Sequence, residues 1–231
     1  MSTQACADCV VRNRAICRAL DAESLAEFSR SGRRRRLKAG ETLRWQGDED
    51  APCATVISGA VKLSVVEEDG DERIVGLGLP SDFVGSPFDE ASEITTTALT
   101  DCEVCLFPRN AFSAALESNR DLETELLKRT MADLKAARMS RSRSAALPAR
   151  ARIAALLLDL KTRGQGCAAT VDPDYLELPL TRGEIAQFLD LRIETVSREF
   201  GALEEAGLIA RQGRRGLRFL DEDGLRGLTE V

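Results

Sequence analysis

The amino-acid sequence predicts an α+β fold: a small antiparallel β-roll, a long helix, and two short helices followed by a β-hairpin. Three observations support this prediction. Apolar stretches bounded by turn residues run from about 37 to 107, residues 109–146 contain neither Gly nor Pro, and a capping pattern at 181–184 precedes apolar residues at helical spacing. The predicted segments are an N-terminal arm (1–20), a β-roll (21–108), a long helix (109–146) and a C-terminal domain (147–231).

Composition limits the possible functions. The 231 residues include no histidine, which excludes Ser-His-Asp and Cys-His catalysis as well as His-ligated zinc or haem, and we do not expect an enzyme. No apolar run approaches the roughly 18 residues that span a bilayer, and the N-terminus lacks the apolar region of a signal peptide. We therefore expect a cytoplasmic protein with no membrane partner, in which the seven cysteines stay reduced.

Aromatic content and charge narrow the nucleic-acid classes. Aromatic residues make up only 4% of the chain, so modules that stack bases on aromatic platforms are disfavoured. The net charge is −6, so any nucleic-acid interface would have to be a local basic patch.

Turn signals predict the β-roll. Asp21 has the chemistry of an N-cap for a short helix over 21–30. From about Leu37 onward, clusters of Val, Ile and Leu are separated by turn residues, among which Asp69-Gly70 is a strong hairpin signal. Pro108 closes this region. Such spacing is typical of a small antiparallel roll or barrel.

The long helix carries an apolar stripe. A helix of this length is a candidate dimerisation element, and the alternative is a helix packed on its own domain. After Pro148, residues 148–164 predict a second amphipathic helix that ends at Gly164. The stripe contains Leu116, Leu122, Leu126, Leu127, Met131 and Leu134, of which the last five are assigned to the dimer interface.

The most informative pattern lies at 178–209. Thr181 followed by Glu184 forms a capping box and predicts a helix start. A turn at Asp190 leads to a second helix, and two short helices joined by a tight turn are typical of a helix-turn-helix. The remaining chain predicts a hairpin wing. The second helix is expected to bury Ile193, Val196, Phe200 and Leu203, and the basic residues of the wing are Arg211, Arg214, Arg215 and Arg218.

The other face of the second helix can read DNA bases. Glu194, Ser197 and Arg198 share that face because they are spaced i, i+3, i+4. Arginine can bind guanine O6 and N7, a carboxylate can accept a hydrogen bond from a base amino group, and a small hydroxyl can lie beside a thymine methyl. The alternative is an ordinary solvated charged face. The capping box, the turn and the basic wing favour DNA reading.

Three cysteines lie in the N-terminal arm, at Cys6, Cys9 and Cys17. Cysteines with this spacing in a reducing compartment are more often metal ligands or redox centres than disulfides. Two alternatives stay open at this point. One is a zinc site, although structural zinc usually draws its cysteines in two close pairs. The other is an arm whose cysteines have no role.

A fourth thiol can come from TDCEVCLFP (100–108), which predicts a strand. Alternate residues of a strand share a face, so Cys102 lies with Val104 toward the roll interior and Cys105 lies on the acidic face, accessible to the arm. Since the two thiols point to opposite faces, they cannot easily bind one metal together, which disfavours a zinc site built from two C-x-x-C pairs. The side expected to face water holds Asp101, Glu103, Cys105 and Phe107. Structural roles are assigned to Cys102, Cys53 and Cys167.

The order of β-roll, long helix and winged helix-turn-helix resembles the CRP/FNR family of bacterial transcription regulators over essentially the whole chain. E-T-V-S-R (194–198) is similar to the E-x-x-S-R of the FNR branch. The resemblance implies a cyclic-nucleotide-binding-like roll and a homodimer that binds a TTGAT-N4-ATCAA-like palindrome in double-stranded DNA. It assigns base contacts to Glu194, Ser197 and Arg198, and we expect backbone contacts from Thr181, Arg182, Arg192, Arg214 and Arg215.

The cysteine arm resembles that of the oxygen-responsive FNR and FnrN-like members. The resemblance implies an oxygen- or redox-sensing 4Fe-4S cluster, and Cys105-Leu-Phe-Pro resembles the C-x-x-P at the ligating position. The ligands would be Cys6, Cys9, Cys17 and Cys105. Three arginines of the arm, Arg12, Arg14 and Arg18, would lower the thiol pKa values and offset the negative charge of the cluster.

Contact with RNA polymerase is a further implication of the resemblance. Gly70-Asp71-Glu72 resembles the polymerase-contacting loop of the family, and Arg33 and Arg35 fall near another such surface. A turn and a solvated charge run explain these residues equally well.

Three positions depart from the family pattern. Arg192 stands where relatives place an N-capping Ser or Thr, which adds a positive charge near the DNA phosphates. Residues 82–100 contain no Arg or Lys, so a buried phosphate would lack a counter-charge and we expect no cyclic nucleotide. Met139 aligns with a carboxylate that opposes dimerisation in oxygen-controlled relatives, which leaves open whether cluster loss splits the dimer.

Other functions are compatible with parts of the sequence. One is a regulator of the same family with a zinc or thiol-based redox switch. A small-molecule-binding regulatory module without DNA function is disfavoured by the intact reading helix. An iron–sulfur electron carrier is disfavoured because no second cofactor motif is present.

Overall fold

In the computed structural model, residues 6, 8–164 and 172–230 are described, with the backbone alone at 140–146. They belong to two compact units, residues 1–133 and 134–231. Cys167, which was assigned a structural role, lies outside the described residues. Within these ranges, no helix is both long enough and apolar enough to cross a bilayer.

The first unit contains an antiparallel β-roll, as predicted. Its strands are β1 (Arg33–Leu37), β2 (Thr42–Arg44), β3 (Cys53–Ser58), β4 (Val61–Val66), β5 (Glu72–Gly78), β6 (Phe83–Val84), β7 (Thr95–Ala98) and β8 (Cys102–Phe107). They form two four-stranded sheets, ordered β1-β8-β3-β6 and β2-β7-β4-β5. Both sheets contribute to one apolar core, in which Leu37, Val56 and Val104 are at most 1% exposed.

Local signals place the elements around the roll. A 3₁₀ helix (Ile16–Ala19) precedes α1 (Ala22–Ser31), and the Asp21 carboxylate accepts a hydrogen bond from the Ser24 amide at 2.8 Å, which confirms the predicted cap. The predicted hairpin turn is also confirmed. Gly70 has a φ of +89° between β4 and β5, a conformation that glycine adopts without steric cost.

The prediction of a single helix over 109–146 is wrong, because two helices occupy this region. These are α2 (Arg109–Ser118) and α3 (Arg120–Ala146). Asn119 between them is extended, with a φ of −134°, and its side-chain oxygen accepts a hydrogen bond from the Leu122 amide at 2.9 Å. Its amide nitrogen also donates to the Ser24 hydroxyl at 3.2 Å. Asn119 therefore caps α3 and ties it to α1.

The second unit is a winged helix-turn-helix. Its elements are α4 (Ala149–Gly164), β9 (Tyr175–Glu177), α5 (Arg182–Leu189), α6 (Ile193–Glu205), β10 (Ile209–Gln212), β11 (Gly216–Phe219) and α7 (Glu222–Gly227). The predicted capping box is confirmed, since the Thr181 hydroxyl accepts from the Glu184 amide and the Glu184 carboxylate accepts from the Thr181 amide. Asp190 turns the chain with a φ of +51°. The wing is the hairpin β10–β11, extended by β9 into a three-stranded sheet.

The cap at Asn119 generates the first prediction. Asn119→Ala removes the side-chain acceptor at the start of α3, and the free energy of unfolding of the first unit should fall by about 1 kcal/mol. Urea denaturation followed by circular dichroism measures the loss. Asn110→Ala is the matched control, because Asn110 is exposed and its side chain accepts only from the adjacent Ala111 amide. Equal losses in the two variants would contradict the capping role.

Candidate metal centre and nucleic-acid interface

Four cysteines surround one pocket in the first unit. Cys6, Cys9 and Cys17 of the arm line it together with Cys105 of β8. The arm is folded by its own backbone: the Cys9 amide donates to the Cys6 carbonyl at 3.3 Å, and the Arg12 amide donates to the Cys9 carbonyl at 3.0 Å. Cys17 lies in the 3₁₀ helix. The structure thus brings together the four thiols that sequence reasoning singled out.

Strand β8 separates its two cysteines, as predicted. Cys102 is 4% exposed and belongs to the roll core, whereas Cys105 packs on the opposite side with the arm. The expectation that this opposite side faces water holds for Asp101, which is exposed, but is wrong for Phe107. Phe107 on that side is only 4% exposed, and its ring stacks on Phe28 of α1 with centroids 4.0 Å apart. Aromatic packing has therefore covered the part of this face around Phe107 and given Cys105 an apolar environment.

Burial sets the protonation state of these thiols. Burial, together with the neighbouring thiols, raises the pKa of Cys17 to about 11 and that of Cys105 to about 12. The pKa of Cys6 is also raised, chiefly by burial. The prediction that the arm arginines lower the thiol pKa values is therefore wrong in its net direction. Desolvation of a thiolate outweighs the attraction of the nearby cations.

The nearby cations also differ from those predicted. Arg12 opposes the rise in the pKa values of Cys6 and Cys17, and Arg34 of β1 opposes it at Cys6 and Cys105. Arg18 is instead paired with Glu125 of α3, with Nε 3.1 Å from the carboxylate. Sequence reasoning missed Arg34, because only the fold brings β1 beside β8.

The donor set fits an iron–sulfur cluster. Protonated thiols in an apolar pocket ionise when a metal supplies the compensating charge, so metal binding releases protons. Among residues 6, 8–164 and 172–230, no three His, Cys, Asp or Glu side chains are close enough to hold one metal ion. A single zinc would need its sulfurs about 2.3 Å from one centre. A 4Fe-4S cluster is held by four cysteine thiolates, and Cys6, Cys9, Cys17 and Cys105 would supply that number of ligands around one pocket.

A second cavity, of about 210 Å³, lies in the β-roll beside Gly85. The expectation that no cation is available there is wrong, because Arg44 of β2 lines it and is only 6% exposed. The Arg44 Nε donates to the Thr96 hydroxyl at 3.1 Å. A survey of 82–100 alone could not find this residue. Two carboxylates, Asp89 and Glu93, line the same cavity and outnumber the arginine.

The apolar stripe on α3 divides into two faces. Leu122 is fully buried within the chain, and Leu126 packs against the apolar cluster that includes Cys17. Leu122 is therefore not available to a partner subunit as predicted, whereas Leu126 is only partly buried. Leu116 lies in α2 and is buried too. The exposed apolar residues of this stripe are Leu127, Met131 and Leu134, with exposed fractions of 61%, 55% and 41%.

Helix α6 presents the predicted reading face. Glu194, Ser197 and Arg198 are all exposed, while Val196 and Phe200 are buried beneath them. The prediction that Ile193 is buried is wrong, since it is 47% exposed. The first turn of α6 has no side-chain cap, because Arg192 stands at the N-cap position. Its backbone amides are therefore open to an anion such as a phosphate.

Several basic residues flank this face with different partners. Arg214 is exposed on the wing and Arg215 is half-buried. The Arg182 guanidinium carbon lies 3.1 Å from the centre of the Phe200 ring, and burial lowers the pKa of Arg182 to about 10. Thr181 is engaged in the capping box. Two other wing cations are paired, Arg211 with Glu204 at 2.6 Å and Arg218 with Asp172 at 2.5 Å.

One contact to the reading face was not predicted. The Arg198 Nε lies 3.3 Å from the Glu199 carboxylate, which is also bound by the Arg150 Nε at 2.9 Å. Arg150 belongs to α4, so the pairing depends on how α4 packs on α6. No sequence signal connects these residues.

Comparisons with known proteins agree with this architecture. Residues 34–119 match the cyclic nucleotide-binding domain family and residues 151–228 match the Crp-like helix-turn-helix domain family. The fold is similar to that of FixK2 from Bradyrhizobium japonicum, with a TM-score of 0.77, 23% identity, and 87% of this chain and 98% of that chain covered. It is also similar to a CRP/FNR family regulator from Thermus thermophilus, with a TM-score of 0.66, 27% identity and coverage of 86% and 99%.

Two relatives extend the similarity over nearly the whole sequence. The transcriptional activator protein FnrL of Cereibacter sphaeroides is 37% identical over 227 residues, covering 95% of this chain and 92% of that protein. A probable transcriptional activator of Rhizobium leguminosarum bv. viciae is 36% identical over 227 residues, covering 98% and 94%. With this identity, and with a β-roll and a winged helix-turn-helix in the expected order, the chain belongs to the CRP/FNR family of DNA-binding transcription regulators.

Proposed function

We propose that this chain is an FNR-type transcription activator that senses oxygen or redox state through a 4Fe-4S cluster. The observation that carries the proposal is the convergence of Cys6, Cys9, Cys17 and Cys105 on one apolar pocket. Bound there, the cluster supplies an oxidant-labile centre. The regulator acts on double-stranded DNA in the bacterial cytoplasm as a homodimer.

The residues around the pocket control how the four thiols are solvated and which charges lie beside them. Phe28 and Phe107 form an apolar wall that keeps bulk water from the thiols. Arg12 and Arg34 place positive charge beside the ligands, which partly offsets their negative charge once they are ionised. Cys9 is half-buried rather than enclosed. Cys6, Cys17 and Cys105 are half-buried as well, so a small oxidant can reach the site.

A homodimer would use the exposed face of α3. Leu127, Met131 and Leu134 follow one another at spacings of four and three, so they form one apolar ridge on the helix. Pairing two such ridges removes this apolar area from water. A twofold dimer also explains why the proposed site is a palindrome, because each α6 would read one half-site.

Base reading is assigned to three side chains of α6. Arg198 would donate two hydrogen bonds to guanine O6 and N7, Glu194 would accept from a cytosine amino group, and Ser197 would lie beside a thymine methyl. The proposed half-site is of the TTGAT type. Contacts to the phosphates are assigned to Thr181, Arg182, Arg192, Arg214 and Arg215.

Contact with RNA polymerase is part of the proposal. The turn after β4 presents Asp71 to solvent, and β1 presents Arg33. Glu72 is less available, because its carboxylate accepts hydrogen bonds from Lys62 at 2.6 Å and Ser64 at 2.7 Å. Arg35, the other basic residue assigned to this surface, is paired with Glu41 at 2.7 Å. We therefore assign polymerase contact to Asp71 and Arg33.

The cluster ligands are tested by two cysteine variants. Cys105→Ala should lose the broad visible absorbance after anaerobic reconstitution with iron and sulfide, and with it anaerobic DNA binding, because the fourth thiolate is gone. Alanine is used because it does not bury a hydroxyl group. Cys102→Ala is the matched control on the same strand and should retain both properties. The reverse pattern, or absorbance that survives in both variants, would reject this ligand set.

The DNA contacts are tested by two arginine variants. Arg198→Ala should cost about 1–3 kcal/mol of binding free energy on the TTGAT-type site and relax discrimination at the guanine. Arg214→Ala should weaken binding to all sequences alike and reduce the slope of log K against log salt by about one. Fluorescence anisotropy at several salt concentrations measures both. Uniform effects of the two substitutions across sequences would contradict base reading by Arg198.

Cyclic nucleotides are not expected to act as effectors. Asp89 and Glu93 outnumber Arg44 in the β-roll cavity, so a phosphate would enter a site of net negative charge. Adding cyclic AMP or cyclic GMP should leave DNA affinity unchanged, and calorimetry should detect no saturable binding. Micromolar binding that disappears in Arg44→Gln would instead support the alternative of a small-molecule-regulated protein, since Arg44 is the buried cation of that cavity.

A further inference from the structure

We propose that Glu125 and Arg129 of α3 are positioning residues that hold the cysteine arm in its ligating conformation. The proposal rests on the proposed function, because it concerns the geometry of the cluster ligands. Neither residue belongs to the four cysteines or to the DNA-binding face. Both act through the backbone of the arm and through Arg18, which follows Cys17 directly in the chain.

The contacts form a bridge between three segments of the first unit. The Arg129 Nε donates to the Glu125 carboxylate at 2.9 Å. Its two terminal nitrogens donate to backbone carbonyls, one to that of Arg14 and the other to that of Ser81 at 3.3 Å. Arg18 reaches the same Glu125 oxygen at 3.1 Å. One guanidinium thus joins α3, the arm and the β-roll.

The burial of the Glu125 carboxylate explains why two arginines pair with it. Glu125 is only 8% exposed, and a buried carboxylate needs compensating cations. Arg18 and Arg129 are the two cations that pair with Glu125. Because Arg129 uses its Nε for this pairing, its two terminal nitrogens remain for the carbonyls of Arg14 and Ser81. The planar guanidinium can serve all three acceptors at once because its donors point in fixed directions. The Arg14 carbonyl lies three residues before Cys17, so fixing it also fixes the approach of the 3₁₀ helix that carries the ligand.

The carbonyl of Ser81 is held by an unusual backbone. Ser81 has a φ of +81°, a conformation that residues other than glycine rarely adopt, and it is 7% exposed. Its amide donates to the Val56 carbonyl at 2.8 Å, which anchors this turn to β3. The strained turn directs its carbonyl to Arg129. A rigid part of the roll therefore supports one end of the bridge.

The bridge lies on the face of α3 that covers the cysteine pocket. Glu125 and Arg129 share that face with Leu126, which packs against the cluster containing Cys17 and Cys105. Leu127 and Met131 are on the opposite, exposed face. The contacts between the arm and α3 therefore lie on the opposite side of the helix from the apolar ridge.

Hydrogen exchange of the full-length, metal-free protein tests the proposal. The amides of Ala15 and Arg18 are hydrogen-bonded within the arm and report its order. In Arg129→Gln, exchange of these amides should become about tenfold faster, since a charge-assisted hydrogen bond to the arm is lost. Lys128→Gln is the matched control, because Lys128 is an exposed cation on the same helix, and it should exchange like the wild type.

A conservative variant separates positioning from helix stability. Arg129→Lys keeps a cation four residues after Glu125, so the thermal midpoint should recover toward the wild-type value. Arg129 uses three different nitrogens for Glu125 and the two carbonyls, whereas the donors of lysine all lie on one nitrogen, so arm protection should not recover. Unchanged arm exchange in Arg129→Gln, or full recovery of protection in Arg129→Lys, would overturn the proposal.

Reconstitution with iron and sulfide distinguishes this proposal from the assignment of the cofactor. The visible absorbance of reconstituted Arg129→Gln should decay about tenfold faster in air than that of the wild type. Equal decay, combined with wild-type arm exchange, counts against the positioning role. A wild-type protein that forms no cluster would instead remove the cofactor assignment, and the exchange comparison, which needs no iron, would still decide the role of Arg129.

Discussion

The aromatic packing on the outer face of β8 is the interaction on which the first unit depends. Phe107 stacks on Phe28, and Phe112 of α2 meets Phe28 edge-on with ring centres 5.7 Å apart. Phe112 has no exposed surface, so this contact joins α1, α2 and β8 into one apolar cluster. Gly32 permits the close approach, because a Cβ there would lie 2.6 Å from the Phe107 ring. The arm folds onto this cluster, and Cys105 consequently faces an apolar pocket rather than water.

The pKa values of the thiols in that pocket follow from its apolar, poorly solvated lining. Thiolates are poorly solvated there, which is why burial raises the pKa of Cys105 to about 12 although Arg34 is close by. The pocket is consequently a poor site for a free reactive thiolate and a good site for thiolates neutralised by a metal. Because ionisation would accompany the proposed metal binding, the affinity of the pocket for a metal would increase with pH up to the raised thiol pKa values.

In the second unit, helix α6 packs on the core through its buried face, and its N-terminus has no side-chain cap. Phe200 packs in the core and carries Arg182 on its ring, which links the positions of α5 and α6. The N-cap position is occupied by Arg192, whose side chain makes no capping hydrogen bond. The first turn of α6 is therefore less stable than a capped turn, and it keeps backbone amides without a side-chain acceptor beside the positive charge of Arg192. Both features suit a surface that meets phosphates.

The sequence by itself determined the features that depend on neighbouring residues: the caps at Asp21 and Thr181, the turn at Gly70, the alternation of Cys102 and Cys105, and the exposed face of α6. Periodicity and capping are local, so they can be recognised without the fold. Only the tertiary structure decided the break at Asn119, the burial of Leu122, the presence of Arg44 in the β-roll cavity, the bridge from Arg129 to the arm and the contact between Arg150 and Glu199. These pairings join residues that are distant in the chain, and the packing of strands and helices selects them through desolvation. When a charged or thiol group is buried, its loss of solvation is compensated by side chains that only the folded structure places beside it.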